Sequence, residues 1–109
     1  MPASAVISAA SLEYVRVRVD AVEAGAQVDP TSLTVSMAFM VGTGPPVVDD
    51  LKAASWETNA TTTPTCYYAR CLVGPDGAVE LKPGTYTVWV KIVDSPEAPL
   101  IPAGPLKVR

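Results

Sequence analysis

Histidine is absent from this chain, and with it go the usual general base, the Ser-His and Cys-His nucleophile pairs and the commonest metal ligand. An enzyme built on this sequence would need a carboxylate-only or metal site. Asp49, Asp50 and Glu57 are the acids near enough in sequence to supply one. They lack the regular Asp-x-Asp spacing of a dedicated calcium loop, and they read as a solvated acidic loop. Gly42-Thr43-Gly44-Pro45 is rich in glycine but has neither the lysine nor the helix start of a phosphate cradle. Cys66 and Cys71 fall in one alternating segment. On an extended strand their Cα atoms would stand about 16 Å apart on opposite faces, beyond the roughly 7 Å reach of a disulfide. Free thiols are expected, with Cys71 inward as a small core residue and Cys66 at the start of its strand. Asn59-Ala60-Thr61 satisfies the glycosylation sequon, but without a secretory signal it reads as a chance match in a threonine-rich loop. No catalytic, cofactor-binding or metal-binding residue is assigned, and no cofactor is expected.

Contact chemistry is better represented. Alternation puts Trp89 on an outer sheet face, with Met40 and Ala38 on a neighbouring strand, and a tryptophan so placed is a suitable anchor for a protein contact. Arg16 and Arg18 share another outward row; they are expected to pair with carboxylates across the sheet, to sit in water, or to anchor a neighbouring subunit. Trp56 completes the set of protein-contact candidates. A rival reading joins Trp56, Trp89 and Tyr68 into an aromatic platform for sugars, which would make the chain an adhesion or carbohydrate-binding module.

Strands must position all of these. Gly84 to Asp94 alternates strictly, with Tyr86, Val88, Val90 and Ile92 on one side and Thr85, Thr87, Trp89 and Lys91 on the other, the mark of a half-buried strand. Leu12 to Ala21 repeats the pattern, with Val15, Val17 and Val19 inward. Ser32 to Val41 does so with Leu33, Val35, Met37, Phe39 and Val41, and Cys66 to Val73 with Tyr67, Ala69, Cys71 and Val73. Glu23 to Gln27 reads as a turn, Asp49 to Ala54 as one helical turn, Ser55 to Thr58 as a short strand and Asn59 to Thr65 as a loop. Gly74-Pro75-Asp76-Gly77 is a strong turn signal leading into Ala78 to Leu81. Pro96, Pro99, Pro102 and Pro105 recur every three residues. They read as a loop before a last edge strand at Leu106 to Arg109, rather than as a polyproline ligand. About seven short strands separated by turns predict an all-β fold, a single immunoglobulin-like antiparallel β-sandwich over residues 1–109. Residues 1–10 form an arm or edge strand in this reading, and 94–109 a proline-rich loop plus the last strand. Tyr86, delivered inward by a Pro-Gly turn, is placed to lock a corner through its hydroxyl.

Composition narrows the partners. Net charge is −3 and the basic residues are scattered, so nothing resembles the basic stripe that displaces phosphate counterions, and nucleic acid is not expected. No apolar run approaches a membrane span, and the apolar start lacks the basic region of a signal peptide. Charged residues make up only 17%, short of the roughly 25% of ordinary soluble domains, which fits either a small sandwich rich in Ala, Val and Thr or an exterior covered in part by neighbouring subunits.

Four stretches carry a family resemblance: Asp29 to Val35, Ala54-Ser55-Trp56-Glu57-Thr58, Ala69 to Gly74 and Pro83 to Val90. Together they resemble the small immunoglobulin-like proteins encoded among the virion genes of tailed phages and prophages of actinobacteria, over Tyr14 to Val108. Its motifs are structural. The resemblance implies a non-enzymatic part of a virion, made in the bacterial host cytoplasm, with a repeated place in a symmetric particle such as the head-to-tail neck, a capsid decoration or a tail ring. Its partners would be other virion proteins and copies of itself.

Overall fold

The computed structural model describes residues 5–19, 22–23, 26–27, 29–42, 44–61, 65–77, 79–93 and 98–109. The strands are β1 (Ala5–Ile7), β2 (Glu13–Val19), β3 (Val22–Glu23), β4 (Ala26–Gln27), β5 (Thr34–Met40), β6 (Lys52–Ala53), β7 (Ser55–Asn59), β8 (Cys66–Val73), β9 (Gly84–Val93) and β10 (Leu100–Val108). The large sheet runs β1-β10-β9-β5-β6 and the small one β2-β8-β7, while β3 and β4 form a hairpin of their own. The large and small sheets pack face to face as a β-sandwich, with β2, β8 and β7 in one layer and β5, β9 and β10 in the other. The all-β sandwich expected from alternation is therefore present.

The inward rows meet in one core. Val15 and Val17 of β2 and Ala69, Cys71 and Val73 of β8 face Val35 and Met37 of β5, Tyr86, Val88 and Val90 of β9, and Leu106 and Val108 of β10. Tyr86 donates its hydroxyl to the Lys82 carbonyl at 2.7 Å. This is the expected corner lock, tying the start of β9 to the chain that leads into it. Both cysteines are buried thiols outside any disulfide, and burial raises the pKa of the Cys71 thiol, as befits a packed residue rather than a reactive one.

Several expectations are corrected. The helical turn at Asp49 to Ala54 is a 3-10 turn at Val48–Asp50 followed by strand β6, because β5 offers Ser36 and Met37 as pairing partners for Ala53 and Lys52. The ladders are not all antiparallel: β1 pairs with β10 in parallel. Arg109 N–H donates to the Ile7 carbonyl and Ala9 N–H to the Arg109 carbonyl, so the last strand is not the sheet's edge over its final residues. The approach to β9 is thinner than expected, with a single bridge between Val79 and Val73. The Gly74–Gly77 turn itself forms, closed by Gly77 N–H to the Gly74 carbonyl at 3.0 Å with Asp76 at φ 66°. Gly74, at φ 137°, passes so close to the Ser11 carbonyl that a Cβ would collide with it.

The largest correction concerns the prolines. Pro102 and Pro105 lie within β10, opposite Trp89 and Thr87 of β9. Proline cannot donate to a ladder, so it needs a position whose N–H would point to an open edge. A spacing of three would put two prolines in opposite orientations on a regular strand. Here a bulge skips Ala103 between the pairs Pro102–Trp89 and Gly104–Val88, with Gly104 at φ 123°. The extra residue restores a common orientation, and β1 covers only Leu106 to Val108, so both prolines lie where β10 has an open side. Met1 to Ser4, the tip of the Glu23 to Gln27 turn at Ala24 and Gly25, Thr62 to Pro64 and Asp94 to Glu97 with Pro96 lie outside the described residues. Among the described residues no helix is long and apolar enough to cross a membrane.

Candidate contact surfaces

The two outward faces carry the side chains singled out above. On the large sheet Trp89 stands between Ala38 of β5 and Pro102 of β10, with Thr87 opposite Met40 and Lys91 opposite Ser36. Trp89 is on the expected face but does not project from it. It is half-buried, its Nε1 is enclosed and has no acceptor among the described residues, and Ala38, though in the outward row, is 0% exposed. The cause is the cross-strand pairing, which sets a large ring directly opposite a single methyl group and lets the ring lie against the sheet. Met40 is half-buried beside it. Lysine supplies the charge in these outward rows, at Lys91 and Lys107, and no carboxylate falls in them.

On the small sheet, register brings Arg16 of β2, Arg70 of β8 and Ser55 of β7 into one line across the strands, and Arg18, Tyr68 and Glu57 into the next. Glu57 becomes the hub. Arg16 Nε donates to both of its oxygens at 3.0 and 3.1 Å, and Arg70 Nη1 donates to Oε1 at 2.9 Å. Arg70 Nε reaches Ser55 Oγ at 3.3 Å. The Arg70 guanidinium lies 4.3 Å from the Tyr14 ring centroid and that of Arg16 5.6 Å, within cation–π range. The hydrogen bond from Arg16 and then that from Arg70 hold the Glu57 carboxyl below its ordinary pKa against the opposing effect of desolvation. The expected cross-sheet pairing is made by Arg16; Arg18, two residues further along β2, is exposed and has an interaction of its own. Arg70, Glu57 and Tyr14 were not among the candidates. Only the register of three strands aligns them, and alternation within any one strand does not contain it.

Trp56 goes elsewhere. It is half-buried against the core and its Nε1 donates to the Leu33 carbonyl at 2.9 Å, which pins β7 to the chain entering β5. The proposed sugar platform is therefore not assembled: Trp56 packs inward, Tyr68 lies in the outward row of the small sheet and Trp89 on the opposite side of the sandwich. The acids separate as well. Asp49 and Asp50 line a shallow depression of about 220 Å³ with Glu80, Lys52 and Phe39, whereas Glu57 belongs to the arginines. Asp50 accepts a hydrogen bond from Val47 N–H at 3.0 Å and so closes its own turn. Among the described residues no group of three or more metal-ligating side chains comes together.

The geometry defines an all-β sandwich with one sparsely charged outer face and one arginine-rich one. No protein-family model, curated protein or solved structure matches the chain.

Proposed function

We propose that the protein is a non-enzymatic structural component of a tailed-phage virion, working by contact with copies of itself and with other virion proteins in a symmetric assembly. The virion assignment rests on the sequence resemblance. The mode of action rests on the outer face of the large sheet, above all on Trp89, which is half-buried in outward rows without a carboxylate and whose Nε1 has no acceptor among the described residues. An enclosed donor left unpaired costs about 1–3 kcal/mol, and a neighbour seated on this face would bury more of the ring and bring an acceptor. The low share of charged residues, 17%, fits a surface that another protein covers.

Met40→Asp tests this reading, because it sets a carboxylate in the middle of the face while leaving the core rows untouched. The variant is expected to remain folded by circular dichroism and to drop out of native particles, or to sediment as a smaller species than the wild type. A wild-type protein that stays monomeric and joins no particle removes the structural reading.

A further inference from the structure

The first strand of the large sheet is held on one side only. β1 stands at the end of the sheet, and its three residues pair in parallel with Leu106, Lys107 and Val108 of β10. Ile7 enters the core beside Leu106 and Val108, while Val6 is 57% exposed. Two further backbone bonds clasp the end of this ladder, Arg109 N–H to the Ile7 carbonyl at 2.9 Å and Ala9 N–H to the Arg109 carbonyl at 2.7 Å. The slot so formed is specific. Just before it along β10 stand Pro102 and Pro105, which offer no donor to a neighbouring strand, so pairing on this side is confined to the last residues of β10.

The connection to β2 decides how firmly this strand is tied to its own sandwich. Ser11 and Leu12 are wedged against the turn that follows β8: a Cβ on Gly74 would collide with the Ser11 carbonyl, and one on Gly77 would crowd Leu12. Between Ile7 and Ser11 lie only Ser8, Ala9 and Ala10, folded back by Ser11 N–H to the Ser8 carbonyl at 3.0 Å and Ala10 N–H to Ser8 Oγ at 3.2 Å. Ser8 and Ala10 are exposed, so water replaces both bonds when the turn straightens. Extended, Ser8 to Ser11 spans about 13 Å, more than the roughly 10 Å between packed sheets. We propose that β1 is an exchangeable strap: opened at Ser8 to Ala10, it leaves its own β10 and takes the identical place on a second copy of the chain. The occupant of the slot is known, because the segment that fills it is seated there with Ile7 in the core and both clasp bonds made. Exchange remakes each of those contacts in the neighbour and needs no new complementarity, which makes it a low-cost route to association, and a short hinge favours it. The exchange uses none of the Trp89 face, so each reading can fail without the other.

Val6 and Lys107 are register partners and both are exposed; neighbouring strands lie about 4.8 Å apart, within disulfide reach. Two full-length single variants, Val6→Cys and Lys107→Cys, are mixed and mildly oxidised over a range of concentrations. The expected result is a disulfide joining one variant to the other at these two positions, located by mass spectrometry and increasing with concentration. Thr85 faces Lys107 from β9, two strand spacings or about 10 Å from β1, so Thr85→Cys mixed with Val6→Cys should give no such link. A contact made through the Trp89 face would link Thr85→Cys as readily, since Thr85 lies in the same outward row. The double variant Val6→Cys/Lys107→Cys, oxidised when dilute, locks the strap onto its own chain and should lose the concentration-dependent doubling of mass expected of the wild type in sedimentation. The proposal is overturned if the Val6→Cys and Lys107→Cys mixture links no more than the Thr85→Cys control at any concentration, or if the locked double variant doubles in mass as the wild type does.

Discussion

On the small sheet, Glu57 binds two guanidiniums, one of them also reaches Ser55, and both lie over the Tyr14 ring. On the large sheet, the outward rows hold Ala38, Met40, Trp89 and Pro102 and leave the Trp89 donor without an acceptor. Both faces come from strands of similar alternation, so the difference arises from what register sets opposite each outward side chain. Arginine opposite arginine is tolerable on the small sheet because a carboxylate two strands over bridges them. Tryptophan opposite alanine satisfies packing and leaves the indole N–H stranded. The first face meets its charges within the sheet, while the second leaves a donor unmet among the described residues.

The comparison breaks most visibly at Trp89. Trp89→Ala removes a ring that closes over Ala38, and a half-buried ring is expected to contribute about 2 kcal/mol, below the roughly 3–5 kcal/mol of a fully enclosed one. That corresponds to a fall in Tm of roughly 8 °C for a domain of this size. A change within error would mean that the ring is a surface ornament and that the two faces are alike. Trp89→Phe sharpens the point. It keeps most of the ring and deletes the unpaired donor, so the two effects offset and thermal unfolding should move by less than half as much as in Trp89→Ala. A phenylalanine variant as damaged as the alanine one would show that Nε1 has a partner.

The small face is expected to respond more weakly and to depend on salt. Glu57→Gln leaves Arg16 and Arg70 facing a neutral amide, at a site where ion pairs near water contribute modestly. A small loss of Tm at low ionic strength, shrinking as salt rises toward about 1 M where the Debye length is about 3 Å, is the expected result of calorimetry. A loss as large as that of Trp89→Ala would reverse the order of the two faces.

How far this contrast was legible beforehand varies along the chain. The inward rows of β2, β5, β8 and β9 could be read directly, since a period of two in apolar residues has no other economical meaning; the exception is Val41, expected inward in the β5 row but exposed just past the strand's end. The Tyr86 corner followed from a local turn, and the free cysteines from strand geometry alone. Of β10 only the end at Leu106 to Val108 was legible; its first part was read as loop, because its prolines fit the ladder only through a bulge at Ala103, and a bulge leaves no periodic signature. Glu57 was read as part of an acidic loop because its role depends on the register of β7, β8 and β2, which is set by connections whose geometry no single strand encodes. Trp89 was assigned to the correct face and its depth was left open for the same reason: alternation says which way a side chain points, and only the residue opposite says how deeply it lies.

Acid is the finest probe of the difference. Glu57 has a folded pKa below its ordinary value of 4.5, so above about pH 4.5 the unfolded chain is ionised there too and the full stabilisation from the arginines is present. As pH falls below 4.5 the unfolded state takes up its proton first, and the contribution is lost progressively until the folded carboxyl titrates as well. The outward rows of the large sheet hold no carboxylate and should contribute nothing to this slope. Comparing wild type with Glu57→Gln across this acid range isolates the effect: the two stability curves should converge as pH falls. Parallel curves would mean that the arginines do not stabilise the ionised form, and the network on the small sheet would then lose its claim to be self-satisfied.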